Sequence, residues 1–148
     1  MKKLIIIIFF LFGQNIYSQC ILNFQTFIKY TKLSNEEFDT YAQKNGWFYN
    51  TELEAYMCDN ETKNNCRAIL NRVKKSEYDI TTYTFFDKRI YISFKEMLES
   101  QGKLSNQTEN DGTRTINYIY NKNIISLLIT TQNENYKITN IYKIITSR

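Results

Sequence analysis

Three cysteines, fifteen carboxylates and no histidine define the chemistry open to this 148-residue chain. Without imidazole, Ser-His-Asp and Cys-His nucleophile systems are excluded in their usual form, as are zinc sites that depend on histidine. Cys58 and Cys66 flank the polar stretch 59–65. That spacing puts two thiols on neighbouring strands of a predicted hairpin, where a structural disulfide is the expected outcome in an exported chain. Closing so short a loop would add about 2–3 kcal/mol by the chain-entropy argument. There is no C-x-x-C spacing to favour a redox or metal role, and no metal or cofactor is expected. Cys20 is the third thiol, and with three cysteines it can also displace one member of the hairpin pair.

The carboxylates have ordinary explanations. Glu36 and Glu37 belong to a helix start, while Glu52, Glu54, Glu109 and Asp111 sit beside turns where solvated charge is expected. Nothing assigns two of them the separation that glycoside hydrolysis demands, so no catalytic residue is predicted. The stretch Asp59-Asn60-Glu61 lacks the ligand spacing, central glycine and terminal glutamate of a calcium loop. Tyrosines offer an interaction surface instead. Tyr118 and Tyr120 share one side of a predicted strand, and Tyr136 and Tyr142 lie on the next strand but one. Together they form a candidate partner-contact face, because tyrosine adds contact area at low entropic cost. The competing expectation is that these rings pack beneath the helices.

The first eighteen residues carry an address. Lys2 and Lys3 precede the unbroken apolar run 4–12, and a polar tract ends at Ser18. This is the pattern of a cleaved secretory signal, and its apolar run is shorter than the ~20 residues a bilayer span needs. The protein is therefore expected to be exported, periplasmic or secreted. Removing 1–18 takes two lysines and lowers the formal net charge from +4 to +2. No run of Lys or Arg exceeds two residues, which argues against a nucleic-acid partner. A lipoprotein signal would place a small residue before Cys20, where this chain has Gln19. Lipid attachment at Cys20 is thus the minor alternative.

Residues 19–148 have the size of one domain. Ser34-Asn35-Glu36-Glu37 is a capping box, with Leu33 and Phe38 at the staple positions. Phe38, Tyr41 and Ala42 share one face of the helix that follows, and Gly46 is a left-handed stop. A second helix starts near Asp87, carries Ile90, Phe94, Met97 and Leu98 on one stripe, and ends at Gly102. A leading helix is expected within 22–33. Strands are predicted at 47–50, 53–58, 66–74 and 78–86. A second series is predicted at 103–105, 113–120, 124–131 and 136–146, with a hairpin turn at Asn110-Asp111-Gly112. Two echoes suggest duplication: F-x7-G recurs from Phe38 to Phe94, and Y-x-I-T from Tyr78 to Tyr136, at offsets of 56 and 58 residues. The expected fold is α+β: two similar units, about 33–86 and 87–146, each a helix followed by an antiparallel meander. They would form one long antiparallel sheet with helices on one face.

The signal ending at Ser18, followed by E-F-x-x-Y-x4-G-W-F-Y over residues 37–49, resembles a group of small exported proteins of Bacteroidota-type bacteria. That resemblance implies export and no particular activity. The duplicated helix-plus-sheet layout also resembles secreted inhibitors of the β-lactamase-inhibitor type, a likeness of layout that transfers no function. The expected function is a non-enzymatic exported binding module of the envelope or extracellular space, acting on a protein partner as an inhibitor or immunity-type protein. The alternatives are a small hydrolase using Asp or Glu, and an envelope structural protein lipidated at Cys20.

Overall fold

The structure, a computed structural model, describes residues 20–60, 66–134 and 137–147, with the backbone alone at 59, 60, 66, 134 and 137. The predicted signal segment lies outside the described residues.

Each helix begins where a side chain can take up free backbone donors. In α1 (Phe24–Tyr30) the Asn23 side-chain oxygen accepts the Thr26 N–H at 2.8 Å. The predicted capping box opens α2 (Asn35–Lys44): Glu37 N–H donates to Ser34 Oγ at 3.2 Å, and Glu37 Oε2 accepts the Ser34 N–H at 2.8 Å. Asp87 caps α3 (Lys88–Gln101) by accepting the Arg89 N–H. The two helix stops differ. Gly46 is left-handed at φ 81°, whereas Gly102 has extended backbone at φ −101°. Space sets the requirement at Gly102, since a Cβ there would lie 2.8 Å from the Leu98 carbonyl oxygen.

Eight strands follow the predicted order: β1 (Phe48–Asn50), β2 (Ala55–Asn60), β3 (Cys66–Lys74), β4 (Asp79–Phe85), β5 (Lys103–Asn110), β6 (Thr113–Tyr120), β7 (Asn123–Glu134) and β8 (Lys137–Ser147). They form one antiparallel sheet in the order β1-β2-β3-β4-β8-β7-β6-β5. The Asp111-Gly112 and Asn121-Lys122 turns each hold both residues at positive φ, as a two-residue hairpin matched to strand twist requires.

One sheet face is buried and helix-covered. Its positions alternate along each strand: Ala68 and Leu70; Thr81, Tyr83 and Phe85; Ile116 and Tyr118; Ile125 and Leu127; Tyr142, Ile144 and Thr146. Among the described residues, helix rings meet this face through Phe38–Tyr56, Phe27–Tyr83, Phe94–Tyr83, Tyr91–Tyr142 and Phe24–Tyr120. The opposite face presents Ile69, Val73, Ile80, Ile124, Ile141 and Ile145 among Thr, Ser and Asn. The architecture is α+β with a single antiparallel sheet.

The strand echo does not survive as an equivalence of faces. Ile80 alternates with the buried Thr81 and Tyr83, so it points to the open side, while Ile138 has the parity of the buried Tyr142 and Ile144. An offset of 58 pairs opposite faces, because a one-residue slip in a strand inverts every side chain.

Candidate functional site

The cysteine expectation is corrected. Cys58 is joined to Cys20, 38 residues away, with Cα atoms 5.2 Å apart, and not to Cys66. Sheet register explains why: in the β2–β3 ladder Cys58 stands opposite Ala68, and Cys66 stands opposite Asn60. The two predicted partners are out of register across the hairpin. Cys58 also shares the helix-covered face, where the chain arrives from residue 20. Tyr83, fully buried on β4, fastens the same segment. Its hydroxyl donates to the Cys20 carbonyl at 2.8 Å and accepts the Leu22 N–H at 3.2 Å.

The tyrosine face is also corrected. Tyr118 and Tyr142 are 3% and 4% exposed, with Tyr142 against Phe85 and Tyr91. Tyr120 packs edge-on to Phe24 at 5.1 Å. Tyr136 lies outside the described residues. The rings are core because β6 and β8 present these positions to the helix-covered face, where burying an aromatic ring releases the most water-exposed apolar area.

Polar and aromatic groups converge elsewhere, between α2 and the β1–β3 end of the sheet. A cavity of about 370 Å³ opens there, lined by groups that include Asp39, Gln43, Tyr49, Glu54, Tyr56 and Lys74. Its size lies within the usual range for ligand clefts, ~300–1,000 Å³. Three of its polar groups come from a single helix stripe. Asn35, Asp39 and Gln43 are four residues apart, so they stack on one side of α2, and all three are exposed. The facing wall is aromatic. Tyr49 and Tyr56 are register partners across β1 and β2, with ring centroids 5.2 Å apart at 64°. Tyr49 is half exposed and Tyr56 is buried.

The Tyr56 hydroxyl interacts with both Gln43 and Asp39 of the helix stripe. Burial raises its pKa above the ordinary phenol value; Gln43 opposes the rise, and the Asp39 carboxylate adds to it. Glu54 completes the rim from a left-handed backbone position at φ 47°. The preceding turn is held by Asn50 Oδ1, which accepts the Glu52 and Leu53 N–H groups.

Arg72 forms the cleft floor and is structurally committed. Its Nε and Nη2 donate to the two Asp79 oxygens at 2.9 and 2.6 Å, and Nη1 donates to the Leu33 carbonyl at 2.5 Å. The guanidinium lies 5.6 Å from the Phe38 ring centroid. Only 5% of the Arg72 side chain is exposed. The buried charge is therefore paired and hydrogen-bonded, the condition under which such a group is tolerated.

Among the described residues there is no cluster of three or more acidic or cysteine side chains placed to hold a metal ion. The cleft offers recognition chemistry: ring faces, the three amides of Asn35, Gln43 and Asn71, two carboxylates and one lysine. Its polar stripe was visible in the sequence as residues 35, 39 and 43; the tyrosines and Glu54 opposite them join it only through the β1–β2 pairing. No protein-family model, no curated protein and no solved structure matches this chain.

Proposed function

We propose that the protein is an exported, non-enzymatic binding module of the envelope or extracellular space that engages a protein partner through the cleft beside α2, in the manner of an inhibitor or immunity-type protein. The carrying observation is the preformed cleft, where the exposed Tyr49 ring faces the Asn35, Asp39 and Gln43 stripe. Export is supported by the signal pattern in 1–18 and by the Cys20–Cys58 disulfide, which suits an oxidising compartment. A sulfur held in a disulfide cannot also carry a thioether lipid, so this pairing weighs against anchoring at Cys20. Among the described residues no helix is long and apolar enough to cross a membrane. Two similar units remain part of the reading: a helix precedes each run of four strands, and in both runs the first strand is a sheet edge and the last lies at the centre.

A small hydrolase is the second reading, because Asp39 and Glu54 line one cleft. A photo-cross-linking residue at position 49, with a control at Thr108 on β5, separates the two in native cells. One dominant protein captured from position 49 and absent from position 108 supports the binding module. A blank at both positions overturns the protein-partner reading and directs attention to substrate screens.

A further inference from the structure

We infer that the α2 cleft receives a basic side chain, arginine or lysine, projecting from the protein partner. This rests on the binding-module reading and adds the chemistry of the contact. Between Ser34 and Ala55 the chain carries Glu36, Glu37, Asp39, Glu52 and Glu54 against a single lysine, Lys44, although its overall charge is +4. Acidity is concentrated on the two segments that wall the cleft. Two of these carboxylates, Asp39 and Glu54, line the cavity itself. Glu37 is occupied by the helix cap.

The positive groups nearby do not cancel this field. Arg72 is neutralised by the two oxygens of Asp79 and spends a further N–H on the Leu33 carbonyl. Lys74 stands exposed at the rim. An anionic ligand would meet two carboxylates and one free ammonium. A cationic side chain would meet those carboxylates together with the half-exposed Tyr49 ring, whose face attracts a cation. The edge-to-face contact with Tyr56 holds the Tyr49 ring in place, so little side-chain freedom is lost on binding.

Glu54 is the most informative residue. It occupies a left-handed conformation that asparagine or glycine adopts at lower cost. Replacing it with asparagine removes the charge without disfavouring the turn.

The test is a titration of the oxidised protein, followed by amide chemical shifts. The probe is a short glycine–serine peptide with one central arginine, and its comparator carries citrulline, which has nearly the same shape and no charge. The expected result is saturable shifts confined to α2 and the β1–β2 turn, with citrulline weaker by about tenfold. Glu54→Asn and Asp39→Asn each weaken arginine binding about three- to tenfold. Glu54→Asn leaves the thermal midpoint unchanged or raised by a few degrees, which shows that the loss is not unfolding. Lys74→Met strengthens binding about threefold by removing the competing charge.

Equal binding of arginine and citrulline, or arginine shifts spread outside the cleft, overturns the inference. The two readings fail separately. A silent peptide with a position-49 cross-linker that still captures one protein removes the basic-side-chain chemistry alone. A binding peptide with a blank cross-linker preserves the chemistry and removes the protein partner.

Discussion

Breaking the Cys20–Cys58 bond is the sharpest perturbation the fold allows. The bridge closes a loop of 38 residues, and the chain-entropy relation assigns such a loop about 4 kcal/mol. Both cysteines are buried, at 2% and 1% exposure, so the reduced thiols gain little compensating hydration. In a domain of this size a loss of about 4 kcal/mol lowers the thermal midpoint by about 10–15 °C. The assay is a thermal melt of the oxidised protein beside the reduced protein and the Cys20→Ser, Cys58→Ser and Cys66→Ser variants. Reduction, Cys20→Ser and Cys58→Ser are expected to fall together, with Cys66→Ser still responding to reductant. A tryptic map without reductant gives the covalent answer. Lys63 separates peptide 45–63, which holds Cys58, from peptide 64–67, which holds Cys66, so the linked species should join 45–63 to the peptide ending at Lys29. A 45–63 to 64–67 link, or a midpoint shift below about 3 °C on reduction, would refute the strap as the main covalent brace.

Three further perturbations test the same packing. Tyr83→Phe removes the acceptor of the Leu22 N–H and the donor to the Cys20 carbonyl, and should cost about 2 kcal/mol in urea unfolding, since two buried backbone groups lose a partner. Asp79→Ala strands the Arg72 guanidinium, whose side chain is 5% exposed. It should cost about 3 kcal/mol, while the double change Arg72→Met with Asp79→Leu costs clearly less; equal costs would show that the ion pair itself carries the stability. Burial raises the phenol pKa of Tyr30, Tyr56, Tyr91 and Tyr118 in the folded state. Their contribution is therefore complete below about pH 10 and is lost as pH climbs past the unfolded value, because the unfolded chain deprotonates first. Melts should hold steady from about pH 7 to 9 and drop above about pH 10, and a flat profile to about pH 12 would contradict the burial of these rings. On the acid side the Ser34 backbone and hydroxyl hydrogen bonds depress Glu37, and Arg89 depresses Asp87. That smaller contribution is present above the ordinary carboxylate range and fades as pH falls through the depressed values.

Local signals survived folding and cross-strand relations did not. Ser34 with Glu37, Asp87, and Asp111 with Gly112 each act within a few residues, so their chemistry is complete in the sequence. Strand alternation was equally readable along 137–147. The cysteine pairing failed because it depends on which β3 residue faces Cys58, and that residue is Ala68. The tyrosine face failed for a related reason: alternation shows that Tyr118 and Tyr120 share a side, while only the helices decide that this side is covered. In the cleft, the stripe at 35, 39 and 43 follows from helix spacing, whereas Tyr49 and Glu54 reach it through a three-residue edge strand that a propensity argument barely registers.

The brace and the cleft are one construction. Residues 20–34 are fastened to the sheet at three levels: covalently to β2 through Cys58, by Tyr83 of β4 at residues 20 and 22, and by Arg72 of β3 at the Leu33 carbonyl. The last contact falls one residue before the cap that starts α2, so the helix carrying Asn35, Asp39 and Gln43 begins from a fixed point. Those same strands, β2 and β3, supply Tyr56, Arg72 and Lys74 to the opposite side of the cleft. Releasing the strap therefore loosens the helix wall relative to the strand wall. A reduced protein that remains folded should bind the arginine peptide more weakly than the oxidised one, although neither Cys20 nor Cys58 lines the cavity. If reduction lowers the thermal midpoint and leaves that affinity unchanged, Arg72 and the capping box alone set the helix position.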